Sequence, residues 1–281
     1  MHRRCILASF RSNSLCAGQT FFTQGPYLRI AEEITIDLDQ AVEWEPPGVL
    51  LGQGQPLFVV NVCVQRLLKA VVKLGNAKGL GQTILPISAA VDGNERATFI
   101  QGRLIAKVRS SIHGLMRACL KEDMVQIIQI GRELVGLGPG LTPSGDDFLG
   151  GLLFAAHSLR NAYPEDFAWE QEPVMDLIDW ARTQTHPISH VVLCDLALGH
   201  GPEPLHEVVT SLLNGQNLDR TMAGVTRLIE IGDTSGWDIL AGMVTGMFLI
   251  GGKLKGPRGS QIDPYRAEEN FDSYGRHQTE D

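Results

Sequence analysis

Residues 136–151 read GLGPGLTPSGDDFLGG, a glycine-rich turn that leads into the start of a helix. The glycines permit a bent backbone, and the Thr-Pro-Ser sequence before the helix provides hydroxyl groups and a fixed φ. The first turn of a helix leaves N–H groups unpaired and carries a partial positive charge. The segment therefore predicts an anion-binding loop, beside which Asp146 and Asp147 place two carboxylates.

A second stretch repeats this pattern. Residues 235–242 read SGWDILAG and residues 144–151 read SGDDFLGG, so both have the form SGxDxLxG, with Asp238 at the position of Asp147. The repeat predicts two helix N-termini that are related by a local two-fold axis and face one cavity. The alternative is that each segment is only a helix cap, since Ser, Thr and Asp are the usual capping residues.

The N-terminal part of the chain has the pattern of strands. Residues 27–30 and 34–38 alternate apolar and polar side chains, and Pro- and Gly-rich turns follow them. Between residues 59 and 250, apolar residues recur at helical spacing in one segment after another. Segregated strands and helices predict an α+β fold, a small β-rich N-terminal unit followed by a large, mainly α-helical domain.

The domain organisation follows from the same pattern. We predict a β-rich unit over residues 1–60, a helical domain over residues 61–250 that carries both glycine-rich loops, and a polar, flexible tail over residues 251–281. Residues 75–94 are rich in glycine and polar side chains, which is typical of a connection between the two main parts, although they contain the apolar run 84–87.

Composition limits the function. The chain has 281 residues, 43% of them hydrophobic, and a formal net charge of -8, which argues against a nucleic-acid binder. Its 5 cysteines are scattered without metal-ligand spacing, so we expect reduced thiols in a cytoplasmic protein. The apolar stretch 239–250 is short and glycine-rich, and no membrane span is predicted from it. Small-molecule substrates and protein partners remain.

A third segment, residues 182–190, reads RTQTHPISH and gathers hydroxyl groups and imidazoles at another helix start. Thr185 and Ser189 are candidate anion ligands there, and a capped, partly exposed turn is the alternative. His186 and His190 have the i, i+4 spacing of metal ligands, but the proline between them disfavours the helix that would align them. The glycine-rich loops lack the GK[ST] ending of a P-loop, so nucleotide binding is not predicted.

The two glycine-rich segments, GLGPGLTPSGDDFLGG at 136–151 and IGDTSGWDILAG at 231–242, resemble the paired motifs of the AllH-like family, long described as a bacterial domain of unknown function. The resemblance is good over residues 120–250 and loose over the N-terminal β-rich part. It implies a subunit of the oxamate carbamoyltransferase of anaerobic allantoin breakdown, a step of purine degradation. That enzyme interconverts oxalurate plus phosphate with oxamate plus carbamoyl phosphate, and other enzyme subunits are the implied partners.

Joined to the motifs, the resemblance implies roles for individual residues. Carbamoyl transfer needs a site for phosphate and a second site for a small carboxylate. We assign the phosphate and carboxylate sites to the two helix starts, one formed by Gly138, Gly140, Thr142, Ser144 and Gly145 and the other by Thr234, Ser235 and Gly236. The catalytic candidates are the three acids Asp146, Asp147 and Asp238, which either orient an amide or ammonium group or hold Mg²⁺; no other cofactor is predicted.

Two further functions stay open at this point. The chain is a non-catalytic partner subunit if the active site lies in another chain. It is a metal-dependent hydrolase of a small amide if Asp146, Asp147 and Asp238 bind a metal ion. If only one acid of the first loop takes part in chemistry, the repeat favours Asp147, because Asp238 is its counterpart and Asp146 has Trp237 at its equivalent position.

Overall fold

The computed structural model describes residues 20–30, 34–39, 54–91 and 103–254. The chain forms two compact units, residues 1–46 and residues 47–281. In the first unit, three short strands form an antiparallel sheet in the order β1-β2-β3, with β1 at Phe21–Gln24, β2 at Tyr27–Ile30 and β3 at Ile34–Asp37. Gly25, at φ +58°, helps to make the two-residue turn that pairs Gln24 with Tyr27.

The second unit is helical over its described residues. A 3₁₀ helix spans Gly79–Thr83. The α-helices are α1 (Leu57–Leu74), α2 (Ile84–Val91), α3 (Arg103–Leu120), α4 (Met124–Gly131), α5 (Ser144–Ala162), α6 (Glu172–Ala181), α7 (Pro187–Ala197), α8 (Glu203–Leu213), α9 (Leu218–Ile229), α10 (Ser235–Met247) and α11 (Leu249–Leu254).

The predicted fold class is confirmed, because a small antiparallel sheet precedes a large helical part. The strands predicted at 27–30 and 34–38 form as β2 and β3. The domain boundaries at residues 60 and 250 stay predictions; α1 begins at Leu57 and α11 ends at Leu254. Most of the tail predicted for residues 251–281 lies outside the described residues.

The connection predicted over residues 75–94 is wrong for its described part. The 3₁₀ helix and α2 occupy residues 79–91, and Leu80, Ile84 and Ile87 are buried in the hydrophobic core. These three side chains recur at a spacing of one helical turn, so they lie on one face. The apolar run 84–87 was the signal of this buried face in the sequence.

Helices α5 and α10 lie in the core, and almost every residue of both is buried. They cross through glycines that have no room for a side chain. A Cβ atom on Gly151 would overlap the carbonyl oxygen of Ile239, and a Cβ atom on Gly242 would overlap that of Phe148. These contacts are reciprocal, since Gly151 and Gly242 occupy equivalent places in the two SGxDxLxG segments. The predicted local two-fold relation therefore holds at the helix crossing.

The apolar stretch at the end of the helical unit is longer than the sequence indicated. Residues Ser235–Leu254 form a 20-residue stretch with a mean hydropathy of 1.2, which meets the length and composition of a membrane-spanning helix. However, 78% of this stretch is buried inside the protein, as is usual for the central helix of a hydrophobic core.

Candidate functional site

The site lies at the N-termini of α5 and α10, which the two glycine-rich loops precede. Each helix start packs against the backbone of the preceding turn: a Cβ atom on Gly145 would overlap the carbonyl oxygen of Leu134, and one on Gly236 would overlap that of Leu228. The N–H group of Gly145 donates to Leu137 (2.8 Å), and that of Gly236 donates to Ile231 (3.0 Å). The predicted anion ligands Gly145 and Gly236 therefore use their N–H groups within their own loops.

Asp146 joins the first loop to α7. Its Oδ1 accepts a hydrogen bond from the N–H of Gly136 (2.7 Å), and its Oδ2 accepts from the Ser189 hydroxyl (2.6 Å) and from the Thr185 hydroxyl. Asp146 is buried, and these three donors satisfy the carboxylate. The hydroxyls of Thr185 and Ser189, predicted as anion ligands, thus bind a carboxylate of the protein itself.

The contacts of Asp147 and Asp238 are reciprocal, like the glycine contacts between α5 and α10. The hydroxyl of Ser235, at the start of α10, lies beside Asp147 on α5 and lowers the pKa of that carboxyl. The hydroxyl of Ser144, at the start of α5, lies beside Asp238 on α10 and lowers its pKa. Each acid therefore contacts the serine of the opposite motif. The structure brings together Ser144, Asp147, Ser235 and Asp238, as the sequence predicted.

Burial gives Asp147 an unusual pKa. Its side chain is 2% exposed, and loss of hydration raises the pKa of the carboxyl from 3.8 to about 8. The hydrogen bond from Ser235 opposes this rise, whereas the negative charges of Asp238 and Asp146 add to it. Asp147 is therefore largely uncharged at neutral pH, and it can accept or release a proton near pH 8.

Asp238 has a smaller shift because more donors reach it. It is 0% exposed, and burial raises its pKa from 3.8 to about 6. Hydrogen bonds from Ser144, Leu80, Thr234 and Gly81 oppose the rise. The N–H of Leu80 donates to Oδ1 at 2.5 Å, which brings the 3₁₀ helix directly against this acid.

One oxygen of each acid has no hydrogen-bond partner among the described residues. These are Oδ2 of Asp147 and Oδ2 of Asp238, both inaccessible to solvent. An unsatisfied buried acceptor costs about 1–3 kcal/mol, and more when it is charged. These two oxygens occupy equivalent positions in the two motifs. Each would be stabilised by a proton on the carboxyl group or by a hydrogen bond from a ligand.

A preformed metal site is not found in the described part of the chain. No group of three or more His, Cys, Asp and Glu side chains there could hold a metal ion. Both oxygens of Asp146 already accept hydrogen bonds. The imidazole of His186 caps α7 by accepting from the N–H of Ile188, and that of His190 contacts the carbonyl of Ile178. Mg²⁺ at the three acids stays a prediction without a preformed ligand set to support it.

The outer side of the first loop faces solvent. Gly138 and Gly140 have φ values of +131° and +91°, and Leu141 is 58% exposed. Among backbone bonds to other described residues, none has the N–H of Gly138, Gly140 or Leu141 as its donor. The hydroxyls of Thr142 and Ser235 lie 3.2 Å apart and join this loop to the start of α10. Backbone N–H groups are therefore available here to an anion.

The sequence interpretation missed the 3₁₀ helix as part of the site. A Cβ atom on Gly79 would overlap Oδ1 of Asp238, and one on Gly81 would lie 2.9 Å from the Cβ of Trp237. One signal was present, since residues 79–81 read GLG, as residues 136–138 do. The contact itself joins residues 158 positions apart, which no local pattern reveals.

Comparison with known proteins supports the resemblance. The model of the family described as oxamate carbamoyltransferase subunit AllH matches residues 134–247 of this chain. The match runs from the turn after α4 to the last residue of α10. It contains both glycine-rich loops and the two serine–aspartate contacts, Ser144 with Asp238 and Ser235 with Asp147. The resemblance to this family is confirmed. No solved structure matches the chain.

Proposed function

We propose that this chain is a subunit of a carbamoyltransferase that acts on oxamate and oxalurate, or on a related small carboxylate, with carbamoyl phosphate as the carbamoyl donor. The observation that supports the proposal most is the reciprocal contact of Ser144 with Asp238 and of Ser235 with Asp147 inside the segment that matches the family. Reactive groups with shifted pKa values, buried at helix starts, are typical of active sites.

The arrangement has groups for each part of carbamoyl transfer. The carbamoyl group carries N–H donors, and the unpartnered Oδ2 of Asp147 is an acceptor. Asp147 can exchange a proton with the attacking or leaving nitrogen, because its pKa lies close to neutral pH. Phosphate belongs on the outer side of the first loop, near the N–H groups of Gly140 and Leu141, since carboxylates repel it from the interior.

Asp146 has a positioning role in this proposal. Its three donors fix the loop and the start of α7, and they leave it no free oxygen for a substrate. Thr185 and Ser189 belong to the same support. We therefore place the reacting groups at Asp147 and the structural acid at Asp146, which agrees with the preference from the sequence repeat.

One observation favours the alternative of a non-catalytic partner subunit. Asp147 and Asp238 are almost completely buried within this chain, so a substrate reaches them only if the surrounding segments move. If the active site lies in another chain, the two acids serve only to join α5 to α10, through Ser235 and Ser144.

Thermal melting of the purified chain separates these functions. We expect carbamoyl phosphate, oxamate and oxalurate each to stabilise the protein, by about 2.7 kcal/mol at 100 times the Kd of the ligand, which raises the melting temperature by roughly 5 °C. Asp147→Asn should reduce the shift to half or less while the protein stays folded. Ser158→Ala is the control, because Ser158 lies on α5 and bonds only to the carbonyl of Phe154.

The assay of transfer completes the test. Phosphate release from carbamoyl phosphate in the presence of oxamate should fall about 10²-fold or more in Asp147→Asn, the loss typical of a group that acts on the transition state. Absence of any thermal shift would place the site in another subunit. Loss of activity on addition of a chelator would favour the metal-dependent hydrolase instead.

A further inference from the structure

The two halves of the site are unequal, and the difference indicates where a ligand enters. We call Asp147, Ser235 and Thr142 the first half-site, and Asp238, Ser144 and the 3₁₀ helix the second half-site. In the first half-site, Ser235 contacts both the buried Asp147 and Thr142. Thr142 and Ser235 are partly exposed, so this chain of hydroxyls connects the buried acid with solvent.

The second half-site is closed on the corresponding side. The N–H groups of Leu80 and Gly81 donate to Asp238, and Gly79 lies so close to this carboxyl that no side chain fits there. An ion pair between Lys78 and Asp233 (2.7 Å) joins the start of the 3₁₀ helix to the second loop at the surface. Asp233 occupies the position in the second motif that Thr142 occupies in the first. Thr142 is partly exposed, whereas Asp233 is held in the ion pair with Lys78.

We propose that the first half-site binds the uncharged amide or ureido –NH₂ end of the substrate, with the N–H donating to Oδ2 of Asp147, and that the second half-site only closes the far wall. This inference rests on the proposed function and assigns the orientation of its substrate. Oδ2 of Asp147 is a buried acceptor without a partner among the described residues, and an amide N–H provides the missing donor.

The charges around the half-site select an uncharged group. Asp146 on the same helix and Asp238 on α10 are the charged groups that act on Asp147, and both are acids. Lys78, the cation nearest in sequence to the 3₁₀ helix, is paired with Asp233. Above about pH 8, where Asp147 has lost its proton, a second carboxylate placed against it would be repelled and would lose its hydration. The charged end of oxamate therefore points outward, towards the N–H groups of Gly140 and Leu141.

The matched ligand pair is oxamate and oxalate, which differ in one end, –NH₂ against –O⁻. We expect the purified chain, measured by calorimetry at pH 9, above the pKa of Asp147, to bind oxamate at least tenfold more tightly than oxalate, since the site loses a hydrogen bond and gains a repulsion with oxalate. Equal affinity for the two ligands, or tighter binding of oxalate, would overturn the proposal. A larger response to MgCl₂ than to oxamate would also overturn it, in favour of a cation at Oδ2.

Variants test which half-site is used. Ser235→Ala and Thr142→Val should weaken oxamate binding by about tenfold and about threefold, and Asp147→Asn by tenfold or more. The matched controls are Ser158→Ala and Thr226→Val, whose hydroxyls bond only to carbonyls of their own helices. We expect the oxamate affinity of both controls to equal that of the unchanged chain.

Ser144→Ala decides between the halves. If this variant weakens oxamate binding as much as Ser235→Ala does, the ligand uses both halves equally and the proposal fails. Circular dichroism melts of each variant exclude unfolding as the cause. The proposed function fails independently: a chain that binds oxamate selectively but shows no carbamoyl transfer with carbamoyl phosphate keeps this inference and loses that function.

Discussion

The two loop–helix motifs share their backbone contacts and differ in what surrounds them. In both, a glycine at the second helical position packs on a carbonyl of the preceding turn, and an acid in the first turn contacts the serine of the other motif. The first connection, residues 132–143, is longer than the second, residues 230–234. The first connection contains the exposed turn at residues 139–141, and the second connection is too short to form a similar turn. The two motifs therefore have the same backbone contacts but different neighbouring segments.

The position before the paired acid shows the same division. In the first motif it is Asp146, which binds hydroxyls at the start of α7. In the second it is Trp237, whose side chain packs against Gly81 of the 3₁₀ helix. The residue before the paired acid therefore packs against α7 in the first motif and against the 3₁₀ helix in the second. The two motifs therefore share the paired acids and serines and differ in the elements packed against them.

The largest expected effect comes from breaking the helix crossing that the motifs share. Gly242→Ala and Gly151→Ala each place a Cβ atom against a backbone carbonyl of the opposite helix, which cannot move without shifting that helix. We expect each change to cost at least about 3 kcal/mol in the free energy of unfolding, measured by urea denaturation.

Gly114→Ala is the control for this prediction. Gly114 also lies in a helix, but its nearest neighbour is Cδ1 of Ile130, at the end of a flexible side chain. We expect its stability to change by less than about 1 kcal/mol, because the helix propensity of alanine offsets a small adjustment. If Gly242→Ala is as mild as Gly114→Ala, the reciprocal contact does not hold the two motifs together.

The pH dependence of stability sharpens the contrast between the two acids. A carboxyl whose pKa rises on folding keeps its proton in the folded state after the unfolded chain has lost it, so stability falls as pH rises. For Asp147 the loss runs from about pH 4 to about pH 8, and for Asp238 it ends near pH 6. The expected loss is several kcal/mol for Asp147, since one pKa unit corresponds to about 1.4 kcal/mol.

Asparagine variants show which acid causes the loss of stability in each pH range. Asp147→Asn should flatten the fall in melting temperature between pH 6 and pH 8, whereas Asp238→Asn should flatten only the fall below about pH 6. If the two variants show the same pH profile, the acids titrate as an equal pair and the difference between the half-sites is absent.

A smaller effect is expected from the support of the first loop. Ser189→Ala removes a 2.6 Å hydrogen bond to the buried Asp146 carboxylate and should cost about 2 kcal/mol of stability. Ser158→Ala serves again as the comparison, because its hydroxyl bonds to a helix carbonyl that already has a partner. Equal melting temperatures for the two variants would contradict the role of Asp146 as the joint between the loop and α7.

The smallest effect is expected at the surface bridge of the second loop. Lys78→Ala breaks the ion pair with Asp233, in which both side chains are largely exposed. Exposed pairs contribute about 0–1 kcal/mol, so the melting temperature should move by no more than roughly 3 °C. A large destabilisation would mean that the 3₁₀ helix depends on this bridge rather than on the burial of Leu80.

Local patterns were enough to predict the fold class and the paired acids. Alternation identified β2 and β3, and helical spacing identified the helices on either side of each loop. The SGxDxLxG repeat predicted that Asp147 and Asp238 are equivalent acids. The predictions of the elements and of the paired acids both depend on short-range patterns. Two segments with the same sequence pattern form the same local structure, and here they pack against each other about a local two-fold axis.

The partners of individual groups were not predictable in the same way. A hydroxyl at a helix start donates equally well to a bound anion or to a carboxylate of the protein, so the sequence did not indicate that Ser189 binds Asp146. The N–H of Gly145 was assigned to an anion although it donates to Leu137. The contact of Leu80 with Asp238 depends on chain packing over a long separation, which spacing cannot encode.

The reciprocal glycine contacts also determine how the two helices move. Asp147 and Asp238 directly precede Phe148 and Ile239, the residues whose carbonyls meet the glycines of the opposite helix. Because backbone meets backbone there, we expect α5 and α10 to rock about this point rather than to slide past it. Displacements in a rocking motion are smallest near its centre and largest at the ends of the helices. We therefore expect thermal motion to change the separation of the acids less than the separation of the helix ends.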